Sequence, residues 1–104
     1  MTTQKVLNRC KRTLQKQYGP RFKGLVLYGS EARREAESSS DIDLLVLLDA
    51  PVDYFIELRC IVDALYPIQL ESTRLISAKP AALEDYEKGR FQLYREAQRE
   101  GMLV

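Results

Sequence analysis

The chain contains no histidine among its 104 residues. A Ser-His-Asp triad, an HExxH zinc site and an imidazole general base are therefore excluded. Cysteine is scarce as well: Cys10 and Cys60 form neither a CxxC motif nor the framework of a small disulfide-rich domain, so we expect reduced thiols. Any catalysis by this chain has to use carboxylates and a metal ion.

Long runs of one residue type are also missing. No stretch approaches the roughly 18 apolar residues that span a membrane, and the N-terminal segment has no signal-peptide core. Lysine and arginine number 16 against 15 acidic residues, a net charge of +1, without any block of like charges. We therefore expect a cytoplasmic protein that has no membrane contact and does not bind nucleic acid directly.

Length and apolar content fit a single domain, residues 1–104. With 45% hydrophobic residues, the chain can bury one modest core. The hydrophobic spacing predicts, in chain order, a helix around 6–14, a strand over 22–28, a short helix over 31–37, a strand over 42–48, a helix around 55–65, an irregular strand around 68–76, and helices over 80–87 and 90–100. This alternation predicts an α/β (α+β) fold with a small mixed sheet flanked by helices.

Two aspartates stand at the start of the second predicted strand. Alternate residues of a strand share a face, so Asp41 and Asp43 project together, with Cα atoms about 6.5–7 Å apart. Ile42 and Leu44 then face the core. Mg²⁺ is usually held by one or two carboxylates together with substrate phosphates, so this pair is the candidate metal site.

A turn that favours phosphate precedes the aspartates, and ten residues separate Ser30 from Asp41. Gly29 allows close approach of the backbone, Ser30 offers a hydroxyl at a helix start, and Arg33 could add a charged contact to phosphate. Each motif alone is also typical of an ordinary turn, strand start or solvated helix face. Their combination is more specific, because a buried strand gains nothing from two repelling carboxylates without a cation.

These residues carry a resemblance to a known family. The letters G-S-x-A-R at 29–33 and S-D-x-D-L at 40–44 resemble the signature of the minimal nucleotidyltransferases, small DNA polymerase β-like proteins often encoded beside HEPN-domain toxins as their antitoxins. The resemblance implies a polymerase β-like core in which Gly29 and Ser30 hold the triphosphate of ATP. It also implies that Asp41 and Asp43 bind Mg²⁺, and that attack on the α-phosphorus releases pyrophosphate.

The chain departs from the family pattern at two places. Many members have a glycine where this chain has Arg34. The family's third carboxylate is expected on the next core strand, where the cleanest position, Gln69, is an amide. Glu71 lies two residues further on and shares a face with Gln69 if both lie on a strand, so Glu71 is the candidate third catalytic residue. Without such a carboxylate, a nucleotide binder with weak or no transfer activity would remain.

Two functions from different classes follow. The first is a nucleotidyltransferase antitoxin that transfers AMP from ATP, with Mg²⁺, to a tyrosine or similar hydroxyl of a cognate HEPN ribonuclease, with which it forms a hetero-oligomer. The alternative is a catalytically degenerate, nucleotide-binding antitoxin that masks the toxin by complex formation only. A small-molecule nucleotidyltransferase that borrows a partner subunit also stays open.

Overall fold

Residues 2–29 and 40–104 are the part of the chain that the structure, a computed structural model, describes. The elements are α1 (Thr3–Tyr18), followed by a 3₁₀ turn (Gly19–Arg21), β1 (Phe22–Tyr28), β2 (Ile42–Leu48), α2 (Tyr54–Glu71), β3 (Ile76–Ala82), α3 (Leu83–Glu87), α4 (Gln92–Glu100) and β4 (Met102–Leu103). Within these two stretches, no helix is both long and apolar enough to cross a membrane.

The described strands form one mixed sheet in the order β3-β2-β1-β4. β1 runs antiparallel to both β2 and β4, whereas β2 and β3 are parallel. Both central strands are almost continuously apolar, which is typical of strands covered on both faces. The predicted mixed sheet with flanking helices is confirmed.

Helices cover the two faces of the sheet. On one face, α1 and α2 pack their apolar sides against alternate residues of β1 and β2, and Leu14, Leu44 and Ile61 are completely buried there. On the other face, the segment from α3 to α4 covers Leu45 and Leu47 of β2. The two residue sets alternate along each strand, so the sheet has an α1/α2 side and an α4 side.

The prediction of a strand around 68–76 is wrong. Residues 68–71 continue α2, because Ile68 follows Ile61 and Leu65 at helical spacing and is buried with them. Pro67 lies inside the helix on an exposed position, so the helix loses one backbone hydrogen bond and continues. The third strand comes later, at Ile76–Ala82.

The helix predicted over 80–87 begins later than expected. Pro80 lies in β3 instead, and α3 starts at Leu83. A proline can occupy a strand when its missing N–H would point away from a neighbouring strand, and β3 is an edge of the described sheet. The helix predicted over 31–37 falls outside the described residues.

Candidate active site at the start of β2

Pairing of β1 with β2 brings the glycine turn against the second aspartate. Tyr28, the last residue of β1, lies opposite Asp43 in the antiparallel ladder, and Gly29 follows it with φ at +76°. A Cβ atom built on Gly29 would lie 2.5 Å from Oδ2 of Asp43. Only glycine fits both this backbone conformation and this contact, so the turn and the carboxylate form one site.

The two aspartates differ in their surroundings. Asp41 is exposed just before β2, whereas Asp43 is half-buried on the α4 side of the sheet. Ile42 and Leu44 are buried on the α1/α2 side, as the alternation predicts. Partial burial, and then the negative charge of Asp41, raise the pKa of Asp43, while the positive charge of Lys79 lowers it. The site therefore carries a carboxylate that is less stable in its charged form than an ordinary aspartate.

The donor set fits a hard divalent cation that also binds phosphates. Across residues 2–29 and 40–104, no three acidic or cysteine side chains come together as a metal-binding group. Asp41 and Asp43 thus supply two carboxylates, which is the usual protein contribution to a Mg²⁺ site completed by a substrate. A cation there would also relieve the repulsion that raises the pKa of Asp43.

The third carboxylate is not where the sequence predicted it. Glu71 is the last residue of α2 rather than a strand residue, and Oε2 of Glu71 is 2.5 Å from Nη1 of Arg9. The structure does not group Glu71 with the two aspartates. On the neighbouring strand β3, Ser77 lies opposite Asp43, and Lys79 lies opposite Leu45. The sequence of β3, I-S-A-K-P-A-A, contains no acidic residue.

The side chain of Gln69 stabilises the local structure and does not lie on a strand beside the two aspartates. Its side-chain amide donates to the carbonyl oxygen of Arg74 at 3.0 Å, and its Oε1 accepts from the backbone N–H of Ile76 at 2.7 Å. Both bonds tie the connection between α2 and β3 to the end of the helix. The amide supplies both an N–H donor and an oxygen acceptor and so satisfies both groups, whereas a charged carboxylate has no donor.

Arg74 is a site residue that sequence reasoning missed. Its Nε donates to the carbonyl oxygen of Ser40 at 2.7 Å, its Nη2 reaches the carbonyl oxygen of Asp41 at 3.5 Å, and its Nη1 reaches Oγ1 of Thr3 at 3.2 Å. Arg74 therefore anchors the backbone that carries the first aspartate. Its partners lie far away in sequence, so no local pattern distinguishes it from a solvated arginine.

Two cavities adjoin this side of the sheet. A small one, about 130 Å³, is lined by Gly29 and by acidic residues of α4, Glu96 and Glu100. A larger groove of about 520 Å³ lies towards the other end of β2 and is lined mainly by apolar and aromatic side chains, among them Tyr54 and Phe91. Substrate groups next to the aspartates therefore have room on the α4 side. The predicted phosphate contacts Ser30 and Arg33 lie outside the described residues.

The chain matches a known family over most of its length. The model of the family described as "Polymerase beta, Nucleotidyltransferase" matches residues 8–104. A Methanocaldococcus jannaschii protein named "Putative protein adenylyltransferase MJ0604" is 36% identical over 58 residues, which cover 56% of this chain. The match spans 58% of that relative's own length.

A solved structure has the same fold. It is described as "Crystal structure of the toxin-antitoxin with AMP-PNP" and matches 98% of this chain and 72% of its own, with a TM-score of 0.58. The two sequences are 16% identical, so this likeness concerns the fold alone.

Proposed function

Because this chain belongs to the polymerase β nucleotidyltransferase family, we propose that it transfers AMP from ATP to a hydroxyl group of a partner protein. The observation that carries the proposal is the contact between Gly29 and Asp43, which joins a phosphate-accessible turn to a carboxylate pair. The name of the Methanocaldococcus relative supports protein as the acceptor and adenylate as the transferred group.

Each site residue has a role in this proposal. Asp41 and Asp43 hold Mg²⁺, which when bound neutralises charge on the triphosphate. Gly29 leaves the backbone accessible to a phosphate, and Ser30 and Arg33 are the predicted further phosphate contacts. Arg74 keeps the backbone of Asp41 in place. The acceptor oxygen then bonds to the α-phosphorus and gives up its proton to water, while the bond to pyrophosphate breaks and pyrophosphate leaves.

The acceptor in this proposal is a cognate HEPN ribonuclease toxin, modified on a tyrosine or a similar hydroxyl. The name of the Methanocaldococcus relative indicates that a protein is the acceptor, so in this proposal a docked protein supplies the hydroxyl. The apolar groove of about 520 Å³, on the same face of the sheet but near the far end of β2, offers an apolar surface to the docked protein. In this proposal the chain and the toxin form a stable hetero-oligomer in the cytoplasm. The free thiols of Cys10 and Cys60 stay reduced there.

A second candidate function is supported by β3. Family resemblance implies a carboxylate beside the two aspartates, and this chain has Ser77 and Lys79 on the neighbouring strand. A protein without that carboxylate would bind nucleotide and mask the toxin without modifying it. The Ser77→Asp variant separates the two candidates: a degenerate site should gain transfer activity, whereas a competent site should gain none.

The test is intact-mass spectrometry of the purified cognate HEPN toxin after incubation with this chain, ATP and Mg²⁺. A transferase adds whole adenylate units to the toxin, and Asp43→Asn abolishes the addition. Asp49→Asn is the matched control, because it makes the same chemical change at the exposed far end of β2. A toxin that binds the chain but gains no mass would favour the masking function.

A further inference from the structure

The outward surface of α2 is apolar although nothing in the described chain covers it. Its large apolar side chains are between 54% and 78% exposed. At 100° per residue they lie within an arc of about 120°, opposite the side that packs on the sheet. We call this surface the α2 outer face; its residues are Phe55, Ile56, Arg59, Val62, Asp63, Tyr66 and Leu70. An exposed apolar patch on the outer side of a helix is typical of a surface that binds another molecule.

Two opposite charges stand in the middle of the α2 outer face. Arg59 and Asp63 are exposed, one helical turn apart, and neither forms an ion pair with another residue of the described segments. A second α2 helix, antiparallel about a two-fold axis at residue 61, would place Arg59 of each copy opposite Asp63 of the other. Such an interface pairs the same two residues twice, so the charges are complementary to themselves.

The shape of the α2 outer face is complementary to itself in the same arrangement. Phe55 projects near the N-terminal end of the helix and is 78% exposed. Beside the C-terminal half, a groove of about 210 Å³ runs between α2 and β3, lined by Val62, Tyr66 and Leu75 among others. The axis at residue 61 brings Phe55 of one copy level with residue 67 of the other. Each projecting ring therefore meets the groove of the opposite copy.

We propose that the α2 outer face is a two-fold self-association surface, and that its occupant is α2 of a second copy of this chain. The self-complementary charges favour a second copy over an unrelated protein, which would need its own matching pair. α2 packs on the α1/α2 side of the sheet, whereas Asp43 faces the α4 side. Self-association thus leaves the candidate active site uncovered, and it stands or falls independently of the proposed transferase function.

Sedimentation velocity of the purified chain over a concentration series tests this surface. We expect a concentration-dependent species of twice the 12.0 kDa chain mass. Arg59→Asp and Asp63→Arg should each weaken the dimer at least about tenfold, because like charges then face each other twice. An equimolar mixture of the two variants should regain the dimer, since the acidic pair of one faces the basic pair of the other.

Two further variants keep the test decisive. Arg12→Asp, a charge reversal at an exposed position of α1, should leave the dimer intact. Phe55→Glu should disrupt it without lowering the unfolding midpoint at concentrations where the unaltered chain is monomeric, because Phe55 contributes little to the core. A monomer at every concentration would overturn the proposal. A dimer that survives both charge reversals would also overturn it. So would a chain that stays monomeric alone and buries the α2 outer face only in a complex with the toxin.

Discussion

Replacement of Gly29 by alanine should disable the site while leaving the chain folded. The backbone penalty is about 1–2 kcal/mol, because φ of +76° lies in the left-handed region that L-residues avoid. The added Cβ would also lie 2.5 Å from Oδ2 of Asp43, so either the turn or the carboxylate has to move. A displacement of about 1 Å at a reacting centre can reduce a rate about 100-fold.

Gly19→Ala is the matched control for this change. Gly19 has φ of +55°, and a Cβ atom there would meet no atom within 4 Å. Both variants should lose stability through a backbone penalty, and Gly29→Ala should lose more, by the free energy of its clash with Asp43; each kcal/mol lowers the melting temperature by about 4–8 °C. Only Gly29→Ala should lose adenylate transfer in the intact-mass assay, by roughly 100-fold.

A double-mutant cycle isolates the contact itself. In an Asp43→Ala background, the carboxylate is gone, so Gly29→Ala should cost only its backbone penalty in free energy of unfolding. The loss in free energy of unfolding caused by Gly29→Ala, compared between the unaltered and the Asp43→Ala chains, gives the free energy of the clash. If Gly29→Ala keeps full transfer activity, or if the cycle shows no coupling between the two positions, the reasoning from this geometry is refuted.

Three further variants or conditions should change the free energy of unfolding in predictable directions. Gln69→Glu should lose about 1–3 kcal/mol in urea unfolding, because a carboxylate cannot donate to the carbonyl oxygen of Arg74; an unchanged midpoint would contradict the role of Gln69. Asp43→Asn should melt no lower than the unaltered chain at neutral pH, because burial and repulsion by Asp41 disfavour the charged side chain. Above about pH 9 the free energy of unfolding should fall as pH rises. Burial raises the pKa of Cys10 from 9.0 to about 11, and burial and the charge of Asp43 raise the pKa of Tyr28 from 10.0 to about 12. The unfolded chain therefore loses these protons at lower pH than the folded chain. Urea titrations at stepped pH check this slope, and a flat profile would contradict it.

Most of the fold prediction depended on the local pattern of apolar residues along the chain. α1, β1 and β2 were predicted at nearly their observed positions, because α1 has a clear helical spacing and the two strands are short, continuous apolar runs. The segment around Ile68 failed because its spacing fits two periods, and only packing against the sheet decides that α2 continues through it. Pro80 misled the prediction because a proline that begins a helix and a proline in an edge strand look alike in sequence.

The site was predictable only in part for the same reason. Asp43 lies near the start of β2, Asp41 lies just before that strand, and the turn at Gly29 ends β1, so the pairing of β1 with β2 brings Gly29 beside Asp43. The residues beside Asp43 on β3, Ser77 and Lys79, depend on the register between β2 and β3, which nothing local in the sequence fixes. Contacts between distant segments of the chain lie beyond what periodicity can show.

The central claim is that the carboxylate pair beside Gly29 catalyses adenylate transfer to a protein. The most direct measurement is the intact mass of the proposed HEPN toxin partner after incubation with the chain, ATP and Mg²⁺, set against the same reaction with Asp43→Asn. The account predicts whole adenylate units on the toxin with the unaltered chain and none with the variant. An unmodified toxin in a stable complex with both proteins would contradict it.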